Sequence, residues 1–189
     1  MAEKKSFDMT QVLSIEDIIK MIKATSNTRD RAILFLLYKT GIRVGELIQL
    51  NLDDVSLDKG TIRMPISMNN EQRDIFFDDE CGKALKAWIS VRVSTGNYAL
   101  FIDNGERLKD KLVGTLVKET AKRSGIQASV TPQAFRRAFA YHLTFKGCNR
   151  SIIDTLLGHK NQEILNAYFQ LPPERVRAEY LKAIPKLGI

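Results

Sequence analysis

A histidine and a tyrosine near the C-terminal end of the chain are of types that could take part in chemistry. The stretch LLGHKNQEILNAY (residues 156–168) is amphipathic, with His159 directly after a glycine and Tyr168 nine positions later. An imidazole exchanges a proton near neutral pH, and a phenol can act as a covalent nucleophile. Two interpretations are open: either both side chains pack in the interior, or both converge on a reacting group.

Two arginines stand where an anion could bind. Arg43 follows a break at Gly41, where a new helix is expected to begin, and Arg136 lies near the start of a helix in TPQAFRRAFAYHLTFKG. Helix N-termini have free amides and a partial positive charge, which favours anions. Gln133 is three residues before Arg136 and shares its helix face. The spacing therefore predicts that Arg43 and Arg136 hold one phosphate.

The composition is that of a folded protein with an excess of positive charge. A chain of 189 residues fits one domain, and 29 basic against 22 acidic residues give a net charge of +7. A polyanionic partner is plausible, although charge alone leaves nucleic acid, acidic membrane and acidic protein open. Cys81 and Cys148 lack metal-binding spacing and are expected to be free thiols in a reducing cytosol. The N-terminal MAEKKSFDM is too charged for a signal peptide or a membrane span.

The elements that must position these residues are mostly helices. Ser14 and Asp17 form a capping-box pattern, and RDRAILFLLYKTG predicts a buried central helix that Gly41 ends. TIRMPI and RDIFF predict strands around the turn SMNNEQ, with a third short strand possible before them. Further helices are expected near 109–123, 132–146, 150–157, 161–169 and 173–183. Asp78 or Asp79 is expected to cap another helix, which runs through Trp88, and Thr131 to cap the helix of Arg136. The predicted class is mainly α with a small antiparallel β-sheet.

Three of these stretches together resemble the catalytic domain of the tyrosine recombinases, the phage-integrase and Xer family. TGIRVGEL is similar to the first arginine box, with Arg43 in the arginine position and Glu46 in its usual supporting one. TPQAFRRAFAYHL is similar to the second box, with Arg136 aligned, and LLGHKNQEILNAY to the last, with His159 and Tyr168 at the family's spacing. The resemblance covers about residues 12 to 170 and implies the tyrosine recombinase catalytic-domain fold.

The resemblance implies a cleavage mechanism without a metal or a cofactor. Tyr168 would attack a scissile DNA phosphate, giving a 3′-phosphotyrosyl link and a free 5′-hydroxyl. Arg43 and Arg136 would bind the non-bridging oxygens, where charge develops. His159 would hydrogen-bond the same phosphate, while Arg73, Arg137 and Lys160 are candidates for further DNA contacts.

Two positions depart from the family pattern. The residue three before the second arginine is normally histidine or lysine, whereas Gln133 can bind a phosphate but cannot shuttle a proton. The family also carries a lysine in the hairpin turn as general acid, and no lysine occurs here between Lys59 and Lys83. Losing a general acid costs a factor of about 100 to 10,000. Either Lys59 or Arg73 substitutes for it, or the enzyme is slow.

The resemblance sets expectations for domains, partners and location. Residues 1–11 are expected to be a tail or linker, and residues 12–189 a catalytic domain with a C-terminal tail helix. The N-terminal core-binding domain of the family is expected to be absent, because the chain is either a fragment or naturally short. The implied partner is double-stranded DNA, bound by a homotetramer at recombining sites and by a monomer or weak oligomer when free, with no membrane. The expected place is the cytoplasm, at the nucleoid of a prokaryotic or viral-host cell.

Three functions are consistent with these patterns. The leading one is an enzyme that cleaves and rejoins DNA strands at specific sites through Tyr168. The absent hairpin lysine and Gln133 favour instead a DNA-binding module on the same fold that barely cuts. Basic charge and helix–turn–helix-like spacing around Gly147 would alone support an unrelated transcription regulator.

Overall fold

Helices make up most of the part of the chain that the computed structural model describes, residues 12–64, 73–93, 96–127, 129–158 and 172–189. The helices in these ranges are α1 (Ile15–Lys23), α2 (Thr28–Thr40), α3 (Val44–Gln49), α4 (Asp79–Val91), α5 (Asp110–Arg123), α6 (Pro132–Phe145), α7 (Arg150–Leu157) and α8 (Pro173–Ala183). The short strands are β1 (Val55–Ser56), β2 (Thr61–Arg63), β3 (Asp74–Phe76), β4 (Ile102–Asp103) and β5 (Glu106–Arg107). The predicted class, mainly α with a small antiparallel sheet, is confirmed. The expected tail at 1–11 and helix at 161–169 lie outside the described residues.

Helix α2 lies at the centre of the fold because it is apolar on all sides. Its residues from Ala32 to Thr40 are all buried, and it packs against α1, α4 and α6. The helix ends at Gly41, which has a left-handed backbone (φ 61°, ψ 22°). The expected end at this glycine is confirmed. The chain turns there, so that Arg43 becomes the N-cap residue directly before α3.

Two antiparallel sheets cover the remaining surface of the core. Strands β1, β2 and β3 pair in that order, with Ile62 opposite Ile75, which confirms the hairpin and the third strand. The turn between β2 and β3, residues 65–72, lies outside the described residues. Strands β4 and β5 form a second hairpin whose β5 was not predicted. Its Asn104-Gly105 turn has positive φ at both residues, the arrangement that Asn-Gly favours in tight hairpins.

The C-terminal helix packs on its own chain. Helix α8 contacts α6, α7 and β3, and the hydroxyl of its buried Tyr180 donates to the carbonyl of Lys39 at 2.9 Å. The buried Lys39 ammonium donates to Asp78 (2.7 Å), Glu80 (2.6 Å) and the carbonyl of Pro185 (2.7 Å). Three acceptors around one buried cation compensate its lost hydration and attach the tail after α8 to the core.

The predicted local signals are confirmed, although one of the predicted caps makes no side-chain hydrogen bond. Ser14 and Asp17 form the capping box of α1, and the Asp78 side chain caps α4. Cys81 and Cys148 are free and buried. Thr131 occupies the N-cap of α6, but its side chain makes no capping hydrogen bond. Its backbone carbonyl accepts from the Ala134 amide at 2.8 Å, and this is one of the two amides that a capping hydroxyl would have served.

Candidate functional site

Arg43 and Glu46 are bonded to each other at the start of α3. The Glu46 carboxylate accepts from the Arg43 amide at 2.9 Å and from Arg43 Nη1 at 3.2 Å. This carboxylate caps the helix and at the same time restrains the Arg43 side chain, 44% of which is exposed. The break at Gly41 thus leads directly to a partly exposed guanidinium in a defined orientation.

Arg73 is bonded to the same carboxylate from the hairpin. It precedes β3, where its carbonyl accepts from the Met64 amide at 2.9 Å, and its Nη2 donates to Glu46 Oε1 at 2.7 Å. Burial raises the pKa of Glu46, but hydrogen bonds from the Arg43 amide and Arg73 outweigh it and hold that pKa below its usual value. Glu46 is therefore a carboxylate shared between two arginines.

Arg136 is buried at the point where α2 and α7 end. The residue is 5% exposed, its Nη1 donates to the Gly41 carbonyl at 2.5 Å, and its Nη2 donates to the Leu157 carbonyl at 2.7 Å. The last carbonyls of a helix have no partner within that helix. A single guanidinium fork from α6 thus satisfies the ends of two other helices and fixes their separation.

The arginines form one electropositive group. Burial and then the positive charge of Arg43 lower the pKa of Arg136 to about 10, and Arg73 acts in the same direction. Three arginines and one glutamate sum to 3 − 1 = +2. The lowered pKa means that burial and the neighbouring positive charges disfavour the charged form of Arg136. An anion bound beside it would offset that cost and would itself be stabilised. We call Arg43, Glu46, Arg73 and Arg136 the arginine cluster.

The other residues predicted for the site are divided between the surface and the undescribed ranges. Gln133 and Arg137 are exposed on α6, on either side of the buried Arg136. His159, Lys160 and Tyr168 lie outside the described residues. The structure therefore brings Arg43, Arg136 and Arg73 together and leaves Gln133 at the exposed start of the same helix.

The two residues considered as replacements for the hairpin lysine are placed differently. Lys59 is exposed in the turn before β2, at the end of that strand opposite to the turn of residues 65–72. Arg73 is near the site but ion-paired with Glu46, and a guanidinium does not release its proton in a protein. Neither residue is suited to donate a proton to the leaving oxygen of a phosphate bound to the arginine cluster: Lys59 because of its position, and Arg73 because of its guanidinium chemistry.

The role of Arg73 in this cluster was not predicted. The sequence suggested it only as a DNA contact or a substitute acid, because a lone arginine in a strand gives no periodic signal. Its bond to Glu46 joins positions 27 residues apart. A long-range pair of this kind could have been suspected only from Glu46, a carboxylate three residues after Arg43.

The described residues contain neither a metal-binding group of side chains nor a membrane-spanning helix. No group of three or more His, Cys, Asp or Glu side chains is arranged to hold a metal ion within those ranges. In the same part of the chain, none of the helices is both long enough and apolar enough to cross a membrane.

The sequence matches the model of the phage integrase family over residues 7–175. The chain belongs to the phage integrase family. The matched range includes all four residues of the arginine cluster, and the membership confirms the resemblance that the three boxes indicated.

Related proteins agree with this assignment. Tyrosine recombinase XerC of Thermodesulfovibrio yellowstonii is 31% identical over 191 residues, which cover 94% of this chain and 63% of the relative. The crystal structure of XerA recombinase matches with a TM-score of 0.77 and 30% identity, over 98% of this chain and 68% of that one. The XerH recombinase bound to its difH substrate before cleavage has the same fold, with a TM-score of 0.72 and 20% identity over 94% of this chain and 55% of that one. This integrase-family chain thus spans 63% of the length of the XerC relative.

Replacing Gly41 by alanine should destabilise this integrase-family chain by about 2–5 kcal/mol. The left-handed backbone costs a non-glycine residue about 1–2 kcal/mol. A Cβ would also lie 2.6 Å from Phe139 Cδ1 and 2.9 Å from Leu157 Cδ2, and overpacking of this kind costs about 1–3 kcal/mol. Denaturant unfolding measures the change.

Gly45→Ala is the matched control for this prediction. Gly45 lies inside α3, and no described heavy atom outside its own helix and neighbours comes within 4 Å of a Cβ built there. Alanine at that position should stabilise the protein by about 0.5–1 kcal/mol. Equal effects of the two substitutions would contradict the tight contact at Gly41.

Proposed function

We propose that this protein cleaves and rejoins double-stranded DNA at specific sites through a covalent link to Tyr168. The observation that carries the proposal is the arginine cluster, which has a net charge of +2 and includes a buried guanidinium with a lowered pKa. Phosphodiester cleavage concentrates negative charge on the non-bridging oxygens, and prearranged cations stabilise that charge. The family relatives named tyrosine recombinases support the same chemistry.

The proposed step is a transesterification. The Tyr168 hydroxyl loses its proton as its oxygen attacks phosphorus, and the bond between phosphorus and the 5′-oxygen breaks. The departing oxygen takes up one proton to become a 5′-hydroxyl, so the step consumes no net proton. Arg43 and Arg136 bind the non-bridging oxygens, and His159 and Gln133 add hydrogen bonds to the same phosphate. The covalent link conserves the energy of the broken bond, so the 5′-hydroxyl of another strand can reverse the step.

The wider assembly is also part of the proposal. Residues 12–189 act as the catalytic domain, and several copies meet on recombining DNA, with four as the number that strand exchange between two sites requires. The XerH neighbour was solved on its DNA substrate, which supports duplex DNA as the partner here. Arg137 and Lys160 are proposed as additional phosphate contacts. The proposed substrate is chromosomal or viral DNA, and the proposed place of action is the cytoplasm.

A nicked duplex tests the proposal. If the nick lies a few nucleotides 3′ of the scissile phosphate, the short fragment that carries the new 5′-hydroxyl diffuses away and cleavage cannot be reversed. A strand labelled 5′ of the cut should then remain attached to the protein under denaturing conditions, and a label 3′ of the cut should not. Tyr168→Phe should form no adduct, while Tyr98→Phe, at a tyrosine on the exposed surface, should form as much as the unchanged protein. Binding without any adduct would leave only a DNA-binding module on this fold.

DNA binding should depend steeply on salt concentration. Each phosphate that a cation neutralises releases counterions, and the slope of log K against log salt changes by about 0.9 per contact. Arg43→Ala should therefore weaken binding to a short duplex and reduce the slope by about one contact. Fluorescence anisotropy over a salt series measures both quantities. An affinity that does not change with salt would rule out a binding surface made of these arginines.

A further inference from the structure

Arg73 connects two parts of the arginine cluster that belong to different elements. On one side its Nη2 donates to Glu46 Oε1, the same oxygen that accepts from Arg43 Nη1. Displacement of the Arg73 side chain would therefore remove one of the three hydrogen bonds that hold Glu46, the carboxylate that also restrains Arg43.

On its other side the Arg73 guanidinium lies against the end of α7. Gly158 ends that helix with a left-handed backbone (φ 63°, ψ 42°). A Cβ at Gly158 would lie 2.8 Å from Arg73 Cζ, 2.8 Å from Nη1 and 3.0 Å from Nε. These three similar distances show that the flat guanidinium covers the glycine directly, so a side chain at that position would displace it.

This contact is adjacent to the bond that holds Arg136. The residue before Gly158 is Leu157, whose carbonyl accepts from Arg136 Nη2 at 2.7 Å. Arg73 Nε is itself buried, and no acceptor in the described part of the chain bonds to it. The guanidinium is thus kept in place by one ion pair and by its packing on Gly158, at a position where it affects both phosphate-binding arginines.

We propose that Arg73 is a positioning residue, which sets the separation of Arg43 and Arg136 by holding Glu46 on one side and the turn at Gly158 on the other. The inference rests on the proposed function, since the separation matters because both arginines bind one phosphate. A displacement of about 1 Å in a reacting group can cost a factor of about 100 in rate. The same contact links the hairpin of β2 and β3 to the residue that directly precedes His159.

Replacing Arg73 by lysine tests the geometry of the side chain separately from its positive charge. Arg73→Lys keeps the positive charge, but an ammonium group cannot both reach Glu46 and lie flat on Gly158. We expect its single-turnover cleavage of the nicked duplex at saturating DNA to fall by about 100-fold. The DNA concentration at half-saturation should change by less than about three-fold, because the charge that attracts the phosphate backbone is retained.

Arg63→Ala is the matched control. Arg63 is exposed on β2 of the same hairpin, and among the described residues neither Glu46 nor Gly158 contacts it through a hydrogen bond or ion pair. Its loss should leave the rate at saturating DNA unchanged. Arg73→Lys cleaving as fast as the unchanged protein would overturn the proposal and show that Arg73 serves only as a cation.

The NMR signals of the histidine imidazole rings give a second readout, one that does not depend on cleavage activity. The chain has two histidines. His142 is buried and bonded to Tyr38 at 2.9 Å, so its signal serves as an internal reference. In Arg73→Lys the His159 signal should move while the His142 signal stays, and Arg63→Ala should move neither.

The two readouts keep the outcomes distinguishable. If the unchanged protein forms no adduct on the nicked duplex, the proposed function fails, and the imidazole spectra alone decide the role of Arg73. An unmoved His159 signal in Arg73→Lys would then overturn the positioning role. Movement of both histidine signals would also overturn it, because the substitution would have altered the fold as a whole.

Discussion

Arg136→Lys should reduce the rate of DNA cleavage by about 100- to 1,000-fold, the usual effect of losing one prearranged donor to a developing charge. Lysine keeps the charge but donates from a single nitrogen. It cannot span the carbonyls of Gly41 and Leu157, which Arg136 bonds at 2.5 and 2.7 Å, and still present a second edge to a phosphate. Single-turnover cleavage of the nicked duplex measures the rate.

The same substitution should also lower the stability of the fold. Arg136 is 5% exposed, and a buried carbonyl that loses its partner costs about 1–3 kcal/mol. Arg137→Lys is the matched control, since Arg137 is the exposed neighbour on the same helix and lysine keeps its charge. Similar losses from Arg136→Lys and Arg137→Lys would contradict the buried role of Arg136.

Replacing the 5′-bridging oxygen of the scissile phosphate by sulfur should speed cleavage by about 100- to 10,000-fold, the range that a general acid contributes. A thiolate leaves without a proton near neutral pH, whereas an alkoxide needs one. The chain has no lysine between Lys59 and Lys83, Lys59 lies at the far end of β2, and Arg73 is ion-paired with Glu46. Cleavage of ordinary DNA should therefore be limited by protonation of the leaving oxygen.

Three substitutions sharpen this experiment. Met68→Lys or Ser67→Lys supplies an ammonium group in the hairpin turn and should speed cleavage of the ordinary substrate only. Tyr168→Phe should cut neither substrate. Equal rates on the oxygen and sulfur substrates would show that another group already donates the proton, or that a different step is limiting.

Local patterns predicted the fold well because its elements depend on neighbouring residues. The apolar run from Ile33 to Leu37, the glycine at position 41 and the capping box at Ser14 each act within one or two turns of helix. The hairpin of β4 and β5 was missed although Asn104-Gly105 marks it, because its strands have two residues each and show no alternation. Thr131 failed as a capping side chain because a backbone carbonyl took its place.

The site was only partly predictable. The boxes located Arg43, Glu46 and Arg136, since each lies in a stretch with its own helical context. They could not show that Arg136 bonds the ends of α2 and α7, or that Arg73 and Arg43 share Glu46. Such contacts join residues 21 to 95 positions apart, and only the packing of helices determines them.

The proposed function depends most on the binding of one phosphate by Arg43 and Arg136 together. A methylphosphonate at the scissile position replaces one charged non-bridging oxygen by a neutral methyl group, so there is less charge for the arginines to balance. Arg43→Ala should cleave the ordinary nicked duplex about 100-fold more slowly than the unchanged protein. On the methylphosphonate duplex that difference should shrink to less than about 10-fold, because the missing guanidinium no longer has a charge to neutralise. The same loss on both substrates would contradict the phosphate-binding role of the arginine cluster.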